Sequence, residues 1–312
     1  MNCISKTWAK LLPIILIAGL GGCNGFGGPE TSRAGGVPET VPPSAGLVEI
    51  GHSDYRLPAQ VSLCGEPLDL SRPAVYERLD FEFLRVINHP AQVALWQRRA
   101  ALYFPKIEAD LRAAGLPDDL KYLAVAESDL RPWISSPAGA LGLWQFMPAT
   151  ARHFGLTVNG KVDHRRLSEN ILNAATRYLQ SLRGKFGSWA LAMAAYNAGD
   201  TRVARAVAAQ GTNNYYEMDL PRETERYVYR IAAIKVVMEN SVHYGVGEKV
   251  PANAYRPTKF SEKQVTVTAG STWPNLAKQV GCDYKTLRML NPHLLESAPP
   301  AGPLVLRVPA GG

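Results

Sequence analysis

Through most of this chain the apolar residues recur every three to four positions, the spacing that gathers them on one face of a helix. The helical pattern begins at about residue 72. Pro105 is expected to open a run in which Ile107, Leu111 and Ala114 share a face, with Gly115 closing it as a C-terminal cap. A further helix is predicted from Asp118 to Glu127, after Pro117, with acidic residues at its N-terminus and Pro132 limiting its run. Ser168 is read as capping a stripe of Ile171, Ala175, Tyr178, Leu179 and Leu182. A small-residue helix carries Trp189, Met193 and Tyr196 at i, i+4 and i+7 before Gly199, and Tyr227, Ile231, Ile234 and Met238 line a last long helix. No comparable period-2 strand appears in this region, so it is expected to be mostly α. The C-terminal stretch alternates instead: Gln264 to Thr268 and Pro303 to Pro309 read as strands, with helices at Thr272 to Val280 and Tyr284 to Asn291 between them, a β-α-α-β order.

One position breaks the apolar pattern. Glu127 follows Leu120, Leu123 and Ala124 by seven, four and three residues, which puts a carboxylate on their buried face. Without a cationic partner such a group resists ionisation, and its pKa is expected to climb from roughly 4.3 toward the 6–7 useful to a general acid. The competing reading is the polar edge of a face, or a carboxylate paired with an arginine. Within 20 residues comes Ser135-Ser136-Pro137-Ala138-Gly139-Ala140-Leu141-Gly142-Leu143-Trp144-Gln145-Phe146-Met147-Pro148. Its turn residues are followed by glycines that let backbone approach a ligand, then by side chains suited to hydrogen bonding and apolar contact.

Three pieces in order, Glu127-Ser128, Ser136 to Gln145, and Ala195-Tyr196-Asn197-Ala198-Gly199, resemble the signature of the goose-lysozyme-like lytic transglycosylases, which cleave the glycan strands of bacterial peptidoglycan. Within that family the chain is most similar to the membrane-bound lytic murein transglycosylase D group, through Asp163-His164-Arg165-Arg166 and Leu220 to Val228; the likeness covers roughly residues 75 to 310. The resemblance implies a mainly α, lysozyme-like catalytic domain. It implies that Glu127 is the catalytic acid and base, and that Ser136 and Gln145 hydrogen-bond the sugars. Met147 would line the cleft, Tyr196 would set its hydroxyl near the reacting centre, and Asn197 and Tyr227 would border the groove. Met147 and Tyr227 could instead be core, Asn197 a helix-end cap, and Glu223 is read mainly as capping the helix it begins. The C-terminal β-α-α-β segment resembles the glycan-binding LysM module, though Gly270-Ser271 replaces the usual glycine-aspartate turn; the alternative is a cap packed on the catalytic domain. A second carboxylate is sought in vain nearby: Asp129, two positions on, should face away from Glu127. The hydrolytic goose-type muramidase and a non-catalytic wall-binding protein remain the rival readings.

The N-terminus points to the cell envelope. Lys6 and Lys10 precede an apolar stretch, Leu11 to Leu20, too short to span a bilayer. Leu20-Gly21-Gly22-Cys23 then looks like a lipobox, so residues 1–22 are expected to be a signal peptide and Cys23 the lipidated residue. Asn24 in place of aspartate resembles lipoproteins sorted to the outer membrane, on its periplasmic face. The Gly- and Pro-rich residues 23–50 read as a tether of roughly 25 Å mean reach. Residues 51–104 are expected to be a helical pre-catalytic segment, 105–250 the catalytic domain and 263–310 the LysM-like domain.

Composition narrows the partners. The formal charge of +7, or +5 without Lys6 and Lys10, suits an anionic polymer such as peptidoglycan. No basic run, stacking platform or helix-turn-helix pattern points to nucleic acid. The histidines lack metal-ligand spacing and there is no phosphate-binding loop, so no metal and no cofactor are expected. Cys64 and Cys282 are left in an oxidising compartment, where a long-range disulfide and two free buried thiols are both compatible with the sequence.

Overall fold

A computed structural model describes residues 55–247, 255 and 258–310. The expected signal peptide, lipidated Cys23 and tether therefore lie outside the described residues. The chain there opens with a hairpin of β1 (Val61–Leu63) and β2 (Glu66–Leu68), then runs through α1 (Pro73–Ile87), α2 (Pro90–Ala113), α3 (Lys121–Ser128), α4 (Pro148–His153), α5 (Ser168–Phe186), α6 (Trp189–Ala198), α7 (Asp200–Gln210) and α8 (Arg222–Glu239). A β-α-α-β module of β3 (Phe260–Val267), α9 (Trp273–Val280), α10 (Tyr284–Leu290) and β4 (Gly302–Pro309) follows. The fold is mainly helical, and among the described residues no helix is long and apolar enough to cross a membrane.

Helix α8 lies at the centre of the larger core. Val228, Ile231, Ala232, Ala233, Ile234, Val236 and Val237 are all buried, against α1, α3 and α6. A fully buried aliphatic side chain of this size contributes about 1.5–3 kcal/mol, so this helix is held by packing on nearly every side. Helix α6 is buried from Trp189 through Ala195, its alanines letting neighbours approach closely. Glu82 of α1, 2% exposed, is neutralised by Arg226 of α8 at 2.5 Å. The C-terminal module has its own small core of Val265, Val267, Trp273, Leu276, Leu287, Leu306 and Val308. Its strands pair antiparallel from Phe260 opposite Pro309 to Val267 opposite Gly302.

Four sequence expectations need correction. Residues 61–68, expected to be helical, form the hairpin, because Cys64 (φ 55°) and Gly65 (φ 78°) make a tight two-residue turn between alternating Val61 and Leu63 and their partners. Pro105 does not open a helix: α2 passes through it, so the expected boundary at 104/105 falls inside one element. A helix-interior proline costs about 3 kcal/mol, and the buried Val93, Trp96 and Ala100 before it and Ile107 and Leu111 after it hold the two halves in line. Ser168 is the first residue of α5 rather than its cap, with Leu167 in the cap position. The stretch from Asp118 begins as a 3-10 turn, Asp118–Leu120, and becomes α-helical only at Lys121. Cys64 and Cys282 are both free; Cys64 is buried and Cys282 only partly so.

Candidate active site

Glu127 sits in the last turn of α3, half-buried, above the wholly buried Leu123 and Ala124. The helix stops one residue later. Asp129 and Leu130 both take left-handed backbone conformations, φ 54° and 56°. Each such non-glycine residue costs about 1–2 kcal/mol, so local preference does not select this exit. It is secured from outside: Trp96 Nε1 donates to Asp129 Oδ1 at 2.9 Å, Arg131 donates to Oδ2 at 2.8 Å, and Arg99 donates to the Asp129 carbonyl at 2.9 Å. The abrupt turn leaves Glu127 half-buried in the last turn of α3 and commits Asp129 to Trp96 and Arg131.

Two tyrosines meet Glu127 from other helices. Tyr227 of α8, buried, donates its hydroxyl to Glu127 Oε1 at 2.5 Å. Burial, then the Glu127 charge and that hydrogen bond, hold the Tyr227 phenol well above the ordinary tyrosine range. Such a hydroxyl stays protonated, and it can donate to the carboxylate or accept from the acid. Tyr196 of α6 is raised for the same first two reasons, burial and then Glu127. Its proton, however, goes to the Trp144 carbonyl at 2.6 Å, so toward Glu127 Tyr196 offers lone pairs rather than a donor.

The loop from Ser135 to Met147 is tied to this frame by side chains that the sequence signature contains but does not explain. Ser128, buried, donates to the Leu143 carbonyl at 2.8 Å and to the Ala124 carbonyl at 3.1 Å, fastening the loop to α3. Gln145 (φ 46°) donates both amide hydrogens inward, to Ile134 O at 3.0 Å and Gly142 O at 2.9 Å, which leaves its Oε1 as the atom available to a ligand. Ser136 accepts from the Ala140 N–H at 3.0 Å and so shapes the turn it belongs to. Met147, 38% exposed, stands at the loop's end where α4 begins. Asn197 accepts from Thr224 Oγ1 at 3.0 Å and braces α6 against α8. Glu223 is exposed in the first turn of α8. The structure thus brings Glu127, Tyr227 and Tyr196 together, whereas the hydrogen bonds of Ser136, Gln145 and Asn197 serve the surrounding frame.

Four further supports have roles that the sequence did not reveal. Arg165, 7% exposed, is gripped by both oxygens of Asp163 and reaches the carbonyls of Gly139 at 2.8 Å and Phe146 at 2.9 Å, clamping the loop at both ends. Its quartet Asp163-His164-Arg165-Arg166 was visible as a motif, without a role. Gly142 (φ 86°) lies so close to this arginine that an added Cβ would stand 2.4 Å from the Arg165 carbonyl. Glu66 in the hairpin accepts from the backbone N–H groups of Trp189 and Ala190, at 2.7 and 3.2 Å, where the N-terminus of α6 favours a carboxylate. The Cys64 N–H, in the same hairpin, donates to Asp119 at 2.7 Å, just before α3. Burial, followed by the charges of Asp119 and Glu66, raises the Cys64 thiol and keeps it protonated.

Residues 105–218 match the family model of the transglycosylase SLT domain. The membrane-bound lytic murein transglycosylase D of Escherichia coli is 35% identical over 153 residues, which cover 47% of this chain and 34% of the relative. The soluble lytic murein transglycosylase of the same organism is 38% identical over 86 residues, 26% of this chain and 13% of the relative. The chain therefore spans about a third or less of the length of these relatives. Among solved structures, the 70 kDa soluble lytic transglycosylase of Escherichia coli overlaps with a TM-score of 0.40 at 23% identity, over 53% of this chain and 30% of that one.

Proposed function

We propose that this chain, which carries a transglycosylase SLT domain at residues 105–218, is a peptidoglycan lytic transglycosylase. In this reading it cleaves the β-1,4 bond between N-acetylmuramic acid and N-acetylglucosamine. The observation that carries the reading is Glu127, half-buried in the last turn of α3 and hydrogen-bonded by Tyr227, with its near neighbour Asp129 drawn away to Arg131. A two-carboxylate glycosidase uses one acid to protonate the leaving oxygen and a second carboxylate to supply or activate the nucleophile. Here one side chain serves twice. Glu127 gives its proton to the glycosidic oxygen as the C1–O bond breaks. The carboxylate left behind takes the proton of the C6 hydroxyl, whose oxygen closes on C1 to give the 1,6-anhydro sugar. Glu127 ends protonated as it began, and no water is consumed. Tyr227 serves both protonation states, and Gln145, its amide hydrogens turned inward, would accept through Oε1 from a sugar N–H or O–H. Ser136, Met147, Tyr196 and Asn197 complete the groove in the same reading.

Cys23 would carry the lipid that holds the enzyme to the periplasmic face of the outer membrane; the membrane-bound description of the 35% identical relative supports attachment to a membrane. The β-α-α-β module is assigned as a LysM-like glycan-binding unit on its element order. The decisive test of the chemistry is Glu127→Gln assayed on purified sacculi, with turnover expected to fall by about three orders of magnitude or more on removal of the proton carrier. Undiminished turnover would refute the assignment. Mass spectrometry of the wild-type products separates the reactions, because hydrolysis leaves an end heavier by one water than the anhydro end.

A further inference from the structure

A cleft of about 670 Å³ lies where the C-terminal module meets the helical unit. That size falls in the range of small-ligand sites. Glu127, Tyr196 and Tyr227 are not among its lining residues. One wall comes from α2, α5 and the loop at Leu143 and Trp144; the other comes from Phe260, Met289 and Pro292 of the module. The two parts are joined beside it. Asp163 N–H donates to the His293 carbonyl at 2.9 Å, Leu295 N–H to the Lys161 carbonyl at 2.8 Å, and Arg307 bridges to Glu169 at 3.1 Å.

The cations of this cleft differ in one respect. Arg307 is paired with Glu169, and Lys106 with Asp110. Arg166 has no carboxylate within ion-pair distance among the described residues, and its Nε is buried without a hydrogen-bond partner. The indole N–H of Trp144, on the same wall, is also buried and unpartnered. A guanidinium prefers two parallel hydrogen bonds from a carboxylate, and the walls around it combine apolar side chains with the hydroxyls of Ser168, Thr258 and Thr286. Clustered unpaired cations would suit a phosphate; a single unpaired guanidinium beside apolar and hydroxyl side chains suits a short peptide bearing a free carboxylate.

We propose that this cleft binds the peptide stems carried by the glycan strand, with Arg166 receiving a stem carboxylate. This rests on the reading of the chain as a peptidoglycan-cleaving enzyme and deepens it, by giving substrate choice a site apart from the reacting centre. Leu143 and Trp144 face the cleft, and their carbonyls are held by Ser128 and Tyr196. An occupied cleft therefore bears on the same loop that borders Glu127.

Calorimetry of the full chain with soluble peptide stems, released from sacculi by an amidase, tests the site without requiring turnover. Arg166→Ala is expected to weaken binding at least tenfold, Arg166→Lys to restore part of it, and esterified stems to bind as poorly to wild type as free stems do to Arg166→Ala. Met289→Glu, at an exposed position across the cleft and so without consequence for folding, is expected to weaken binding as well. No binding to wild type, or equal binding by wild type, Arg166→Ala and Met289→Glu, would overturn the proposal. In turnover, Arg166→Ala should raise KM several-fold on peptide-bearing strands, with kcat within about twofold, and leave stripped strands unaffected. An enzyme inert on both substrates would instead remove the transglycosylase reading, while calorimetry would still decide the cleft.

Discussion

Asp129 and Tyr227 divide the chemistry around Glu127 between a residue that holds the backbone and one that touches the acid. Asp129 is drawn to Trp96 and Arg131, so in the proposed reaction it would contribute geometry rather than charge. Asparagine tolerates the left-handed conformation and keeps the acceptor that Trp96 uses. Asp129→Asn is therefore expected to retain sacculus turnover within about fivefold, since the lost ion pair is partly exposed and contributes about 1 kcal/mol or less. A loss as deep as that of Glu127→Gln would make Asp129 a second catalytic carboxylate. Tyr227→Phe removes a hydrogen bond to a charged group, a contribution of about 1.5–3 kcal/mol. The expected result is a fall in kcat of about ten- to a hundredfold with KM little changed, measured on the same sacculi. The sequence placed a tyrosine at 227 on a helical stripe, where a core position and a groove position look alike. That its hydroxyl finds Glu127 depends on α8 packing on α3, a hundred residues earlier.

At the scale of elements, the loop after α3 is an object built from three directions: Ser128 beneath Leu143, Tyr196 on Trp144, and Arg165 across Gly139 and Phe146. Its glycines were read as letting backbone approach a ligand, whereas Gly142 makes its close approach to the Arg165 carbonyl of the protein itself. Gly142→Ala combines an unfavourable positive φ with a backbone clash, which should lower stability by about 2 kcal/mol or more. Thermal unfolding at a midpoint several degrees below wild type, with turnover reduced in parallel at assay temperature, is the expected result; an unchanged midpoint would mean that the loop yields freely. The helices themselves followed from periodicity, since α5, α6 and α8 bury the stripes read from the sequence. The hairpin did not, because strands of three residues carry too little alternation to register, although Cys64-Gly65 supplies the turn. Nor did the passage of α2 through Pro105, where tertiary packing overrides a strong local preference.

Across the whole molecule, the contact between the helical unit and the C-terminal module is sensitive to protons. Burial, reinforced by the charges of His164, Arg307 and Arg288, lowers His293 from 6.5 to about 4. Between those values the unfolded chain binds a proton that the folded chain refuses, so stability rises with pH across this window and is lost on acidification from about 6.5 toward 4. The drop in unfolding midpoint between pH 7 and pH 5 is therefore expected to be smaller in His293→Gln than in wild type. Equal drops would show that the ring takes up its proton in place. The proposed stem-binding role of the cleft also belongs to this scale, since its walls come from both the helical unit and the module.

The sequence by itself determined the helical character, the β-α-α-β order of the C-terminal module, and the carboxylate at 127 with the motif that follows it. These are local properties, written in the spacing of apolar residues, in turn chemistry and in residue types at fixed intervals. Tertiary structure alone decided that Tyr227 and Tyr196 converge on Glu127, and that Arg165 clamps both ends of the loop that Ser128 fastens to α3. In each case the deciding contact joins residues far apart in the chain, and packing of the surrounding core outweighs the local preference that a single segment expresses.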